Sequence, residues 1–299
     1  MLRPRRYWVR LALVFMGALG SALLILPLLM GLVTIWGLTH PPCDVGNTPM
    51  SFAPNYESVT FTSTNGLQLD GYFLPGTNGA TVITVPAFNA GRGGQLGDAA
   101  IFYNAGFNVL TLNSRVCSSL GWFSLGYYEA EDVLAARDYL LTRPDIDPGR
   151  ISLHGFSSGG ATALMAAQRS SGFRSVSAMG GYHDYAVELG LGQPADFFSV
   201  LYQWGIAGGY RLFTGNDITF LSPYNELHNL TGIPVLLIYG TTEATLSGAR
   251  KMLARGQVVG VPIELWEVPG AGHGNYQAVA PTEYASRLTT FHALASNGQ

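Results

Sequence analysis

The pentapeptide Gly155-Phe156-Ser157-Ser158-Gly159 stands between the run RISLH (150–154) and the small-residue stretch GGATALMAA. The first reads as a strand and the second as a helix, so the chain must change from one to the other within a turn centred on Ser157. A turn that tight has no room for side chains two positions either side of the serine, which is why glycine occupies 155 and 159. Ser158 is not bracketed in this way. The pattern demands a strand whose carboxyl end runs straight into a helix. Ser157 then stands exposed at the sheet edge, at the positive end of the helix dipole.

The rest of the chain supplies a sheet of this kind. SVTFTSTNGLQLDGYFLP holds two alternating strands around Asn65-Gly66, a hairpin signal. From there strands and helices alternate. ATVITV (80–85) is a continuous β-branched run, as expected for a strand covered on both faces. A helix is predicted over 95–105 and a strand over 107–113. YYEAEDVLAARDYLL (127–141) has apolar residues at helical spacing and its acids Glu129, Glu131 and Asp132 near the start. Strands are expected at 174–180, 234–240 and 262–268, and a last helix from about 281 to 295. Repeated β-α units with buried strands predict an α/β fold, a mainly parallel twisted sheet with helices on both faces. The stretch from about 185 to 232 breaks the alternation. It is aromatic and apolar, contains no strand run and is too long for an ordinary loop. It reads as a helical cap insertion over the strand ends, the alternative being a packed excursion without contact to any ligand.

Serine is a weak nucleophile without a base. Six histidines compete for that role. His273, in Pro269-Gly270-Ala271-Gly272-His273-Gly274, has the glycine-rich loop after the last strand that lets an imidazole swing to the sheet edge. In folds that carry such a strand–serine–helix elbow, the acid that orients the base lies between serine and histidine in chain order. Glu243 follows the strand PVLLIYG in Gly240-Thr241-Thr242-Glu243, and Asp184, one strand earlier, is its rival. Two backbone N–H groups are needed where an oxyanion would form. Ser158 offers one. Phe88, in the loop after ATVITV, is the expected second, with Ala87 behind it, since Pro86 has no N–H.

The N-terminus carries a separate signal. From Leu11 to Leu38 there is no charged residue, and Arg3, Arg5, Arg6 and Arg10 precede the run. About 20 apolar residues cross a bilayer core, and a signal-peptide core is only about 7–15 long. Residues 1–38 therefore read as an Arg-rich cytoplasmic start and an uncleaved transmembrane signal anchor, with a cleaved signal or buried helix as alternatives. Lys and Arg stay on the cytoplasmic side, so the remainder is expected outside. Residues 39–57, rich in Pro, Asn and Thr, read as a linker, and 58–299 as the folded domain. A net charge of −3 and no basic stripe exclude a nucleic-acid partner. Cys43 and Cys117 match no metal spacing. An exported domain permits a disulfide between them, two unrelated thiols being the alternative.

With these residues in view, the chain resembles the α/β-hydrolase superfamily from about Glu57 to its end. It looks most like membrane-anchored bacterial hydrolases and prolyl-oligopeptidase-like or dienelactone-hydrolase-like domains. The resemblance lies in GYYEAEDVLAARDYLLTRPDIDPGRISLHGFSSGGATALMAA and in SPYNELHNLTGIPVLLIYGTTEAT. It implies a serine hydrolase with Ser157 as nucleophile, His273 as base, Glu243 as acid and Phe88 with Ser158 as oxyanion donors, working without cofactor or metal. Three features depart from the family pattern. Glu replaces the usual Asp at 243, Pro86-Ala87 replaces His-Gly, and Asn113-Ser114-Arg115 stands where Asp-x-Arg is common. The implied reaction is cleavage of carboxylic esters, with small-molecule or lipid acyl substrates suggested by the apolar segments. A peptidase or amidase, and a non-catalytic membrane-tethered binding protein, are the competing readings.

Overall fold

The computed structural model describes residues 5–88 and 90–298, without the side chains of Arg5 and Asn65. Arg3 and Asn89 lie outside the described residues. The chain forms two compact units, one running from His40 to Tyr185 and from Leu221 onward, the other joining the segment up to Thr39 with Ala186–Phe220.

The larger unit is built on ten strands. They are β1 (Asp44–Gly46), β2 (Glu57–Thr62), β3 (Gln68–Leu74), β4 (Thr81–Val85), β5 (Ala90–Gly93), β6 (Asn108–Leu112), β7 (Ile151–Phe156), β8 (Val176–Met179), β9 (Val235–Gly240) and β10 (Ile263–Val268). Eight of them form one sheet in the order β10-β9-β8-β7-β4-β6-β3-β2. All pairings are parallel except those of β3 with β2 and with β6. Every residue of β4, β6, β8 and β9 is buried, as their continuous apolar or β-branched runs require. Edge strand β2 buries only Val59 and Phe61, in alternation. The β2–β3 hairpin closes through a short helical turn (Thr64–Gly66), with the Ser63 N–H bonded to the Leu67 carbonyl at 2.7 Å. This is a longer loop than a two-residue Asn-Gly turn.

Helices α2 (Leu96–Asn104) and α9 (Pro281–Ser296) cover one face of the sheet. Helices α3 (Tyr127–Leu141), α4 (Ser158–Gln168) and α7 (Leu246–Val259) cover the other, and the one-turn α8 (Tyr276–Val279) precedes α9. The small residues of α4 are buried from Gly159 to Ala167, and this helix lies against both β7 and β8. Leu221–Gly232 belongs to this unit, burying Leu221, Leu227 and Leu230.

A buried ionic cluster shapes the chain between β6 and α3. Arg115 makes a two-point bond to Asp132, at 2.9 and 2.8 Å, and Asp132 also accepts from Ser63. Glu129 accepts from the backbone of Ser124 and Gly126, so it caps the start of α3. Asp132 is thus taken up by Arg115 instead of serving the helix end. Asn113 accepts the Arg92 N–H at 2.7 Å and ties β5 to the end of β6.

Residues 39–57 are more ordered than a free linker. β1 pairs with β5, and Cys43 is bonded to Cys117. The tether is thereby joined to the loop that also contains Arg115.

The smaller unit contains α1 (Arg5–Thr39), α5 (Tyr185–Glu188) but for its first residue, and α6 (Phe197–Thr214). Helix α1 is long and apolar enough to cross a membrane. Asp196 caps α6 by accepting from the Phe198 and Ser199 N–H groups.

The Cys43–Cys117 bond closes a loop with a sequence separation of 74. Replacing both cysteines with serine is expected to destabilise the sheet unit by about 2–4 kcal/mol. Urea unfolding of the detergent-solubilised full chain measures this, and reduced wild-type protein should share the lowered midpoint.

Candidate active site

The five adjacent parallel strands β10, β9, β8, β7 and β4 end at the same edge of the sheet. In open parallel sheets that edge is where ligands bind. Ser157 follows β7 there and has φ 55°, one of two described non-glycine residues with positive φ. The strain is held by close backbone contacts. A Cβ on Gly155 would fall 2.2 Å from the Gly159 carbonyl oxygen, and one on Gly159 would fall 2.3 Å from the Val85 carbonyl oxygen. The Ser157 N–H is bonded to the Met179 carbonyl at 2.7 Å. Strand-to-helix reversal with these contacts turns the side chain out of the sheet.

His273 and Glu243 come from the loops after β10 and β9. Neighbouring strands are about 4.8 Å apart, so a group on β10 must reach back across β9 and β8 to meet one on β7. Two loops fold inward to do so. Thr242 N–H bonds the Ala271 carbonyl at 3.0 Å, and the Thr242 hydroxyl bonds the same oxygen at 2.8 Å. His273 Nε2 then lies 3.1 Å from Ser157 Oγ, and its Nδ1 lies 2.7 Å from Glu243 Oε1. The Phe156 ring packs on the imidazole with centroids 4.8 Å apart.

Glu243 is buried while His273 is half exposed. The other carboxylate oxygen, Oε2, accepts from the Gly240 N–H at 2.6 Å and from Tyr276 Oη at 2.8 Å. Burial opposes its charge, but the bonds from His273, Gly240 and Tyr276 outweigh burial and hold the carboxyl below its usual range. Burial, and then the Glu243 charge, push the Tyr276 phenol well above its ordinary value, so it remains a neutral donor. With Glu243 ionised, Nδ1 carries the imidazole proton and Nε2 is left to accept from Ser157.

The remaining expected residues fall into two groups. Ser158 opens α4 directly after Ser157, and its carbonyl accepts from Thr162. Phe88 lies in the loop after β4, its ring edge-on to Phe123 at 5.7 Å. The Val85 and Pro86 carbonyls at the start of that loop touch Gly159, which brings the loop beside the beginning of α4. Asp184 is engaged elsewhere, accepting from Ser222 at 2.9 Å, and the imidazole of His273 is bonded to Glu243. His154 and His292 are fully buried in a chain of hydroxyls. Ser177 bridges them, at 2.7 Å from His154 Nδ1 and 2.8 Å from His292 Nε2. Burial, and then the neighbouring His154, hold His292 far below its usual range and so neutral. Among the described residues, no group of three or more His, Cys, Asp or Glu is placed to hold a metal ion.

Two contributors escaped the sequence reading. Tyr276 was hidden because nothing in its neighbourhood signals a bond to residue 243. Gly180, at the end of β8 with φ 58°, lies beneath the meeting point of the loops. A Cβ there would fall 2.9 Å from both His273 Cε1 and Glu243 Oε1, and 2.6 Å from Tyr276 Oη. The Gly180-Gly181 pair closing a strand was the only available signal.

The prolyl oligopeptidase family profile matches residues 98–298. Among solved structures, an esterase of Pyrococcus furiosus is similar with a TM-score of 0.69 and 22% identity, over 85% of this chain and 97% of that one. A puromycin-hydrolyzing peptidase of Mycobacterium tuberculosis is similar with a TM-score of 0.63 and 19% identity, over 79% of this chain but 39% of that one. An acylaminoacyl peptidase of Pyrococcus horikoshii gives 0.61 and 18%, over 80% and 41%.

Two outcomes follow from this geometry. Gly180→Ala is expected to displace the imidazole and slow fluorophosphonate labelling of Ser157 about 10²-fold, the scale of a 1 Å misplacement. Stopped-time labelling of folded protein, checked by circular dichroism, measures it. Glu243 has a depressed folded-state value, so its ionisation stabilises the fold above its unfolded value of about 4.3, and this is lost as pH falls through the folded value. The melting-temperature gap between wild type and Glu243→Gln should be full at neutral pH and narrow on acidification below about pH 4.

Proposed function

The chain belongs to the prolyl oligopeptidase family of serine hydrolases, and from that premise we propose that it hydrolyses carboxylic esters with Ser157 as nucleophile, His273 as general base and Glu243 as the orienting acid. The observation that carries this reading is the unbroken hydrogen-bond chain from Ser157 Oγ through both imidazole nitrogens to a buried, ionised carboxylate. In this arrangement Ser157 Oγ attacks the acyl carbonyl while its proton passes to His273 Nε2. The imidazolium is stabilised by Glu243 through Nδ1–H. The backbone N–H groups of Ser158 and Phe88 receive the oxyanion, helped by the positive end of α4. Collapse breaks the acyl–oxygen bond, and His273 returns its proton to the departing alcohol. Water, deprotonated by the same imidazole, then attacks the acyl-enzyme; the acyl–Ser157 bond breaks, His273 returns the proton to Ser157 Oγ, and the acid leaves.

Esters rank above peptides because the esterase is matched over nearly its whole length and the two peptidases over about two fifths of theirs. The apolar N-terminal helix and apolar insertion favour hydrophobic acyl groups, including lipids, as substrates. Amide or peptide cleavage is the second reading, favoured by the family itself and open to the same three residues. A binding protein without catalysis is disfavoured, since such a protein has no need of a strained serine bonded to a histidine.

We also propose that α1 is a single membrane span with a cytoplasmic N-terminus and that the sheet unit lies outside. The flanking arginines and a disulfide in the sheet unit support this orientation.

Ser157→Ala is expected to abolish both fluorophosphonate labelling and hydrolysis of p-nitrophenyl esters. Glu243→Gln should lower kcat about 10³–10⁴-fold while leaving a folded protein, as loss of the orienting acid does elsewhere. A panel of p-nitrophenyl esters of rising chain length beside amino-acyl p-nitroanilides tests the substrate class. Turnover confined to the anilides would overturn the ester ranking.

A further inference from the structure

Helix α6 packs on α1 at backbone contact. A Cβ on Gly205 would fall 2.2 Å from the Leu28 carbonyl oxygen, and one on Gly31 would fall 2.1 Å from the Tyr202 carbonyl oxygen. A Cβ on Gly209 would meet Ile35 at 2.5 Å. One turn further on, the rings of Trp36 and Phe213 stand edge-on at 5.2 Å. Contacts advance together along both helices, so α6 runs in the same direction as the second half of α1. Gly205-Ile206-Ala207-Gly208-Gly209 contains glycines four apart facing α1, the arrangement by which membrane helices reach close approach. Tyr202 Oη adds a bond to Thr34 Oγ1 at 3.1 Å across the pair.

The outward side of this pair is apolar. Phe197, Phe198, Trp204 and Leu212 of α6 are 48–73% exposed, and Val33 and Trp36 in the second half of α1 are exposed as well. The only charge within α6 is Arg211, in its last turn, with Asp196 at the N-cap. A face of this size and composition turned to water is unusual for a soluble element. It continues the apolar surface of a helix that is long enough to cross a bilayer. An apolar run longer than the bilayer core tilts in the membrane, which brings a helix packed on its outer half toward the lipid.

We propose that α6 is a second membrane-contacting element, resting in the outer interfacial layer beside α1 with Phe197, Phe198, Trp204 and Leu212 against acyl chains. This inference rests on the reading of α1 as a membrane span. The insertion is then not a freely moving lid but a helix fastened to the anchor. Its occupant is the lipid surface itself. Trp204 and Trp36 are suited to the interface, and Arg211 can extend its charge to the headgroups.

The test uses full-length protein in phosphatidylcholine vesicles carrying brominated acyl chains. Tryptophan quenching is compared between wild type, Trp204→Phe and Trp8→Phe. We expect the Trp204 contribution to be quenched by brominated lipid more than twofold over its quenching by aqueous acrylamide. Gly205→Leu, which separates α6 from α1, should reverse that preference while Trp8 remains lipid-quenched. Acrylamide quenching of Trp204 with Trp8 still lipid-quenched would overturn the proposal alone, leaving the span intact. Absence of lipid quenching at both positions would overturn the proposal together with the span. Shielding of Trp204 from both quenchers, with crosslinking between copies, would assign the face to a second chain and overturn the lipid reading. Fluorophosphonate labelling of the same samples reports on the hydrolase assignment independently of either result.

Discussion

The backbone of the β7–α4 turn touches itself and the end of β4, and the candidate active site depends on that contact. Gly155 lies against Gly159, and Gly159 lies against the Val85 carbonyl. No Cβ fits at either place. Because the turn cannot relax, Ser157 keeps a backbone conformation that is unfavourable for a serine, costing of order 1–3 kcal/mol. The surrounding sheet over-determines it through the Ser157 N–H bond to Met179. Strain here keeps the hydroxyl clear of the sheet, within reach of His273.

The second requirement is reach. Serine and histidine start three strands apart, and the two intervening strand ends must not obstruct the loops that join them. Gly180 leaves open the space through which His273, Glu243 and Tyr276 meet. A glutamate in place of the family's usual aspartate is accommodated by folding back. One of its oxygens accepts from the Gly240 N–H in its own turn, and the other faces the imidazole. The longer side chain therefore spends its extra length within the loop and not on a longer approach to His273. Tyr276 completes the set of donors that, with His273 and the Gly240 N–H ahead of it, keeps the carboxylate charged though buried.

A different physics holds the smaller unit. Its contact is made by glycines that allow two backbones to meet, with aromatic residues outside. In the sheet unit, buried side chains fill space between strands and helices, and buried charges are paired, as Arg115 is with Asp132. These two styles of packing stand side by side within one chain.

Much of this was legible before any coordinate. Runs such as TVITV and VLLIYG could be strands only if covered on both faces, and the glycines around Ser157 could be explained only by a tight reversal. These are local constraints, set by sterics and by hydrophobic period, and the strands and helices expected on that ground fall within one or two residues of their limits, whereas β1 and β5 carry no such signal. Ser157 and His273 stand out in the sequence because their loops carry glycine at fixed offsets. What only the tertiary structure decided are the relations between distant segments. The place after PVLLIYG favours Glu243 over Asp184, but only the fold bonds Glu243 to an imidazole and Asp184 to Ser222. Cys43 and Cys117, far apart in the chain, come together only through the fold, as do Arg115 and Asp132. The stretch from about 185 to 232 reads as a cap because apolar helices without strands have several possible partners; within it α6 packs on α1, whose Gly31 matches its own glycines. Sequence period determines which face of an element is buried, but which other element buries it depends on backbone distances that exist only once the chain has closed.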